Sequence, residues 1–168
     1  WFEDGLPSHI DLNWWKELKP CTKNNISFSV RDDDTDYTIL GLYYLEKFGA
    51  GFTSKNVAET WLMRLPYHQV YTAERVAYFN LINNLEPPLS AKYRNPYREW
   101  IGAQIRADGF GYVTPGWPEK AAEFAYRDAS ISHVKNGIYG EMLMSAIISS
   151  ALVCSSIDEV IDAGIAEI

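Results

Sequence analysis

Residues 138–153, IYGEMLMSAIISSALV, are apolar on nearly every side, and this stretch narrows the choice of fold more than any other. A segment of that kind reads as a central buried helix, around which the rest of a domain has to be arranged. Its longest apolar run, Met142 to Ile148, falls far short of a membrane span. The punctuation elsewhere is also helical. Ile39 to Phe48 is apolar except for Glu46 and Lys47, and Gly49 is a natural C-terminal stop. Thr53 or Ser54 can cap a helix carrying Val57, Trp61, Leu62 and Leu65, which Pro66 ends. Thr72 can cap another with Val76, Phe79 and Ile82. Asn95-Pro96 predicts a helix start running through Trp100, Ile101 and Ile105. Pro118 opens one in which Ala121, Ala122, Ala125 and Ala129 allow close helix contact. Ser156 and Glu159 have capping-box spacing ahead of Ile157, Val160, Ile161 and Ile168. Only ISFSV (26–30) alternates like a strand. The expected fold is all-α.

Composition bounds the function. The chain has 168 residues, 47% hydrophobic and 14% aromatic, which suits one globular domain and excludes disorder. It begins at Trp1 and stops within the last helical pattern, so 1–168 is expected to be a single domain truncated at both ends. A net charge of -7 and a pI near 4.9 argue against binding a nucleic-acid backbone, which calls for basic stripes. Cys21 and Cys154 have neither disulfide-framework nor zinc-site spacing, and two free thiols fit a reducing cytosol. No signal peptide opens the chain and no repeat is apparent, so the expectation is a cytoplasmic monomer without membrane contact.

Within this helical chain one segment is unusual. RDDDTDYT (31–38) places four carboxylates in five positions, where each disfavours ionisation of the others. Capping a helix dipole explains one or two aspartates, not four. An EF-hand fails, because from Asp32 the sixth position is Tyr37 instead of glycine and the twelfth is Tyr43 instead of glutamate. Asp34, Asp36 and Thr38 fit the D-x-D-x-T signature of haloacid-dehalogenase-type phosphatases, with ISFSV upstream. That fold also needs alternating strands and a later acidic pair, which the remaining residues do not supply. The best reading is a hard-cation site at the head of a buried helix, where two positive charges offset the repulsion.

Here the chain resembles a family. DDTDYTILGLYYLE is similar to the T-D-D-T-x-x-x-L segment of the ADP-ribosylglycohydrolases. GAQIR (102–106) is similar to that family's G-N-G-A-x-M-R loop, and RDASISH (127–133) to its R-D-A-x-x-[ST]-H. In this order the matches extend over residues 31 to about 150.

The resemblance implies an all-α enzyme, a compact orthogonal bundle of helices, with two Mg²⁺ ions that hydrolyses the bond between ADP-ribose and a modified protein side chain or small group. Carried over by position, the metal ligands are Asp32, Asp33 and Asp34, with Asp32 in place of the usual threonine, and Asp33 and Asp34 are the catalytic candidates. Gly102, Ala103, Gln104 and Ile105 would set backbone N–H groups near the diphosphate or distal ribose, and His133 would lie beside the bound ADP-ribose. Ile101 replaces the family's asparagine, removing a side-chain hydrogen bond. The resemblance places further acidic ligands outside these 168 residues, so this stretch alone is expected to be inactive.

Each of these residues has a plainer explanation as well. Gly102 fits a helix crossing, and His133 fits a hydrogen bond to a helix end. Arg127 and Asp128 fit a surface ion pair. Arg94, Arg98 and Arg106, near one helical face, fit either diphosphate attraction or pairing with Glu99 and Asp108. Tyr112, Trp117 and Tyr139 are candidates for stacking on adenine. An ADP-ribose-binding module without hydrolysis is the alternative from a different functional class.

Overall fold

A computed structural model describes residues 24–26, 28 and 31–168. The chain divides into two units, Trp1–Asp32 and Asp33–Ile168. Cys21 lies outside the described residues, as do three of the five positions of the expected strand 26–30; Ile26 and Phe28 are not in strand.

The second unit is built from helices: α1 (Asp33–Phe48), α2 (Ser54–Arg64), α3 (Thr72–Ile82), α4 (Leu89–Lys92), α5 (Asp108–Tyr112), α6 (Pro118–Ala129), α7 (Asn136–Ala151) and α8 (Ile157–Ile165). A 3-10 turn over Ile101–Arg106 interrupts the series. Among the described residues there is no strand, and no helix is long and apolar enough to cross a membrane. The all-α expectation holds.

Local signals explain most boundaries. Gly49 has φ +67, the left-handed geometry that ends α1 at little steric cost. Thr53 caps α2 reciprocally: its hydroxyl accepts from Asn56 N at 3.3 Å, and its own N–H donates to Asn56 Oδ1 at 3.0 Å. Thr53→Ala is expected to lower the unfolding free energy by about 1 kcal/mol, read from a urea titration. Pro118 sits in the first turn of α6, and Ser156 caps α8.

α7 is central, packed against α6, α8, α5 and the 3-10 turn. Its surroundings differ from those expected of a helix apolar on every side. Its buried residues include Glu141, Ser145, Ala146, Ser149 and Ser150, whereas Met144, Leu152 and Val153 are exposed. The alanine stripe of α6 is the reason. Ala121, Ala122, Ala125 and Ala129 are all buried, and so close a crossing admits small side chains only. The serines make that contact polar: Ser145 Oγ donates to Ala121 O at 3.2 Å, and Ser149 Oγ accepts from Trp117 N at 3.1 Å.

The apolar core draws on α1, α2, α5 and α6. Tyr37, Tyr44, Phe52, Val57, Trp61, Phe110, Phe124 and Ile131 form its main cluster. Phe52 meets Phe124 and Phe110 with ring centroids 5.3 and 5.7 Å apart, and Trp61 Nε1 donates to Tyr44 Oη at 3.1 Å. The buried polar ends of Trp61 and Tyr44 thus satisfy each other.

Two expectations are corrected here. The α3 face read as apolar is exposed at Phe79 and Ile82; the buried face is Ala73, Glu74, Ala77, Tyr78, Asn80 and Leu81. Asn95-Pro96 does not start a helix through Trp100, because the Asn95 side chain is engaged elsewhere. Its Nδ2 donates to Ala73 O and to Ser132 O, each at 3.1 Å, clamping the head of α3 to the turn after α6. The chain then runs through turns into the 3-10 segment, leaving Trp100 and Ile101 exposed. Thr72, Arg94 and Lys135, all within a few residues of this clamp, hold φ values of 43, 49 and 47. Backbone strain of this kind persists only where surrounding packing over-determines the conformation.

Candidate active site

Arg106 organises the interior. It ends the 3-10 turn, is 2% exposed, and is surrounded by groups from five helices and from the turn after α6. From α6, Asp128 Oδ2 accepts from Arg106 Nε. From α3, Glu74 Oε1 accepts from Nη1 at 3.2 Å; from α7, Glu141 Oε2 accepts from Nη2 at 3.4 Å. Ser132 Oγ accepts from Nη1 at 2.9 Å. The guanidinium also lies over the rings of Tyr37 in α1 and Trp61 in α2, 5.4 and 5.2 Å from their centroids.

Three buried carboxyls face one buried cation, so they do not all ionise as they would in water. Burial raises Asp128, opposed by its contact with Arg106. Burial also raises Glu74, and Asp33 at the head of α1 adds a small push in the same direction. Glu141 is raised well above the usual carboxylate range, by burial first and by Asp128 next. Of the three, Glu141 is pushed most strongly toward its neutral form. Arg106 itself is raised, because the three carboxyls outweigh the effect of its burial.

The expected substrate residues gather around this cage, although they do not all face outward. Gly102 lies against it: a Cβ added there would sit 2.5 Å from Glu74 Oε1. Gly102 is thus required by Glu74, a neighbour within the fold, and not by a helix crossing. Ala103 is buried, Ile105 packs against the main core, and Gln104 is exposed. His133 is fully buried, with Nδ1 2.8 Å from Ser132 Oγ.

The ion-pair expectations also change. Asp128 is not half of a surface pair with Arg127; it is 2% exposed and bonded to Arg106. Arg127 instead pairs with Glu123 and donates to Ala50 O and Phe52 O, each at 2.9 Å. Arg94, Arg98 and Arg106 do not share a helical face. Arg98 donates to Asn95 O at 2.9 Å, and Arg94 lies over the Tyr93 ring.

The acidic cluster sits where α1 begins. Asp33, Asp34 and Asp36 occupy the first turn, and Asp32 precedes them in the first unit. Asp34 is exposed and Asp33 half-buried. Asp34, Asp36 and Thr38 lie inside a helix, with Thr38 Oγ1 donating to Asp34 O at 3.2 Å. The phosphatase signature needs these residues in a loop after a strand, so that alternative falls. As a donor set, consecutive carboxylates suit a hard cation such as Mg²⁺. Among the described residues no three His, Cys, Asp or Glu side chains converge as a metal-binding group, the three expected ligands Asp32, Asp33 and Asp34 included. Tyr112, Trp117 and Tyr139 are exposed on three different elements.

Glu74, Ser132 and Glu141 escaped the reading of the sequence. Glu141 did carry a signal, as the one charged residue within an apolar stretch; a carboxyl there has to find a partner or a proton. Glu74 carried none, since an acid in the first turn of a helix is ordinary.

His133 yields a pH prediction. Burial, followed by repulsion from Arg106, lowers its pKa from 6.5 to about 3. Its folded state therefore refuses a proton that the unfolded chain accepts, so its contribution to stability is present above 6.5 and lost as pH falls. Glu74, Asp128 and Glu141 act in the opposite sense, because raised carboxyls favour the folded state as pH falls. Comparing the protein with His133→Asn isolates the histidine. Between pH 6.5 and about 3, the difference in unfolding free energy is expected to shift against the unsubstituted protein by up to about 1.4 kcal/mol per pH unit.

The fold and site define a class: an all-α protein whose buried charge cage ties a glycine-containing loop to a helix headed by clustered carboxylates. The chain belongs to the ADP-ribosylglycohydrolase family, whose model matches residues 15–168. Membership supports glycohydrolase activity of the ADP-ribosylhydrolase type. Comparison with curated proteins and with solved structures returned no match.

Proposed function

We propose that this protein is a Mg²⁺-dependent hydrolase that cleaves the glycosidic bond between ADP-ribose and a modified protein side chain or small group. The observation that carries the reading is the Arg106 cage. It holds the 102–105 loop and His133 in one network, and Asp33 at the head of α1 acts electrostatically on that network through Glu74 and Tyr37.

Asp32, Asp33 and Asp34 would hold the metal. When bound, Mg²⁺ supplies a Lewis acid that binds ribose hydroxyls and lowers the pKa of a water. Asp33 and Asp34 would orient that water and take its proton as the anomeric carbon passes through an oxocarbenium-like state. The main chain of Gly102, Ala103, Gln104 and Ile105 presents N–H groups to the diphosphate or distal ribose. His133 lies behind that loop, and its burial keeps its ring neutral and fixed.

The test is release of ADP-ribose from an ADP-ribosylated protein and from small ADP-ribosyl compounds. The assay is run with Mg²⁺ and again with a chelator, on the 168-residue chain and on the full gene product. Metal-dependent release by the full product supports the proposal, and metal-independent release at the same rate rejects the cofactor. A second reading, binding of ADP-ribose without hydrolysis, draws on Ile101, which is 74% exposed where the family has a hydrogen-bonding asparagine. It predicts ADP-ribose binding by calorimetry with no turnover under any metal condition.

A further inference from the structure

His133 is fully buried, yet its Nε2 has no hydrogen-bond partner. The charged group facing it is Glu74 Oε1, at 4.0 Å. On the other side of the ring, Nδ1 lies 2.8 Å from Ser132 Oγ. Ser132 Oγ accepts from Arg106 Nη1 at 2.9 Å, and the same Nη1 donates to Glu74 Oε1 at 3.2 Å. Arg106, Ser132, His133 and Glu74 therefore form a ring, closed except for the gap between His133 and Glu74.

Counting donors decides where the protons sit. A guanidinium has donors only, so Ser132 Oγ has to accept from it. The single hydroxyl hydrogen of Ser132 then has one neighbour able to receive it, His133 Nδ1. A proton on Nδ1 would leave that hydroxyl hydrogen without an acceptor. It would also turn a bare Nε2 toward a carboxylate oxygen, lone pair against lone pair. With Nδ1 bare, both ends of the ring agree, and Nε2 carries its hydrogen toward the Glu74 side.

We infer that Ser132 and Glu74 are positioning residues that hold His133 as the neutral Nε2–H tautomer, a fixed hydrogen-bond donor behind the 102–105 loop for an oxygen of a diphosphate or ribose ligand. The tautomer follows from the ring alone; the ligand rests on the function proposed above. Glu74 serves both parts, because its carboxylate also abuts Gly102. The lowered pKa of His133 agrees with a ring that neither takes up a proton nor acts as a cation. The Nδ1 partner keeps the ring from turning.

The experiment is nitrogen-detected NMR of the histidine rings in the 168-residue chain, with ADP-ribose as the probe. The expected spectrum shows His133 with Nδ1 unprotonated and Nε2 protonated, unchanged from about pH 8 down to pH 5. Ser132→Ala should release the tautomer, and Ser132→Thr, which keeps the hydroxyl, should restore it. A protonated Nδ1 in the unsubstituted protein overturns the inference without recourse to any variant, as does an unchanged tautomer in a folded Ser132→Ala. Adding ADP-ribose should move the His133 Nε2–H resonance. If the tautomer is as stated and that resonance stays fixed while ADP-ribose binds, the donor role toward ligand is overturned, although binding stands. If ADP-ribose does not bind at all, it is the proposed function that fails for this chain.

Discussion

Arg106→Met is expected to destabilise the protein by about 3–5 kcal/mol, the usual cost of removing one partner from a buried ion pair. Methionine roughly matches the apolar stem but not the guanidinium that lies over Tyr37 and Trp61, so the loss reports the charge together with that ring contact. What remains is three carboxyls, Glu74, Asp128 and Glu141, each nearly or fully buried with no cation. They either ionise without a partner or take up protons, and both cost free energy at neutral pH. The sign with pH follows. In the variant the folded carboxyls hold protons that the unfolded chain releases above its ordinary carboxylate range, so stability should recover as pH falls toward that range. A urea titration at neutral and at mildly acidic pH reads both effects. Arg106→Lys should fall between the two, because an ammonium is a point charge without the planar fork that reaches several acceptors. An Arg106→Met protein with an unchanged urea midpoint at neutral pH would show that the cage does not hold the fold together.

The second large effect is expected on activity with stability intact. Asp33→Asn and Asp34→Asn should each abolish Mg²⁺-dependent release of ADP-ribose by the full gene product. Asparagine keeps the shape and the oxygen but removes the charge, and a hard cation bound from one short segment depends on charge. Asp34 is exposed and Asp33 half-buried at a helix N-terminus, so neither change opens the core. The dipole interaction lost at each position is about 0.3–1 kcal/mol, small beside the effect on turnover. Asp36→Asn, one turn further along the cluster, has no metal role in the proposal and serves as the control. Parent-rate hydrolysis by both Asp33→Asn and Asp34→Asn, with Mg²⁺ affinity unchanged by calorimetry, would remove the carboxylates from the mechanism.

Much of this fold was legible before any coordinates, and the reason differs between elements. α2 was readable from Thr53 and Pro66, and α6 from Pro118, because caps and breakers act over three or four residues and need nothing from the rest of the chain. The alanine stripe of α6 correctly signalled a close helix crossing, since small side chains at helical spacing have few other uses. The segment after Asn95 was misread because Asn95-Pro96 looks the same locally whether or not it starts a helix. The difference is made by Ala73 O and Ser132 O, 22 and 37 residues away, which take the side chain.

The site divides along the same line. By itself the sequence determined the all-α class, most helix limits, the carboxylate cluster at the head of α1, and the loop and histidine through which the chain resembles its family. All of these are local patterns, set by dihedral preference, capping and charge within a few residues. Only the tertiary structure decided what Arg106 and Asp128 do. A surface pair and a buried cage are the same letters in a sequence, and they differ by whether Glu74, 32 residues away, and Glu141, 35 residues away, arrive at the same guanidinium. The tertiary structure also decided that α7 buries its serines and Glu141 while showing some of its apolar side chains, because α6 approaches closely at the serines and Arg106 holds the Glu141 carboxyl. Long-range convergence leaves no local periodicity, and at this site it is what sets the pKa values and the tautomer of His133.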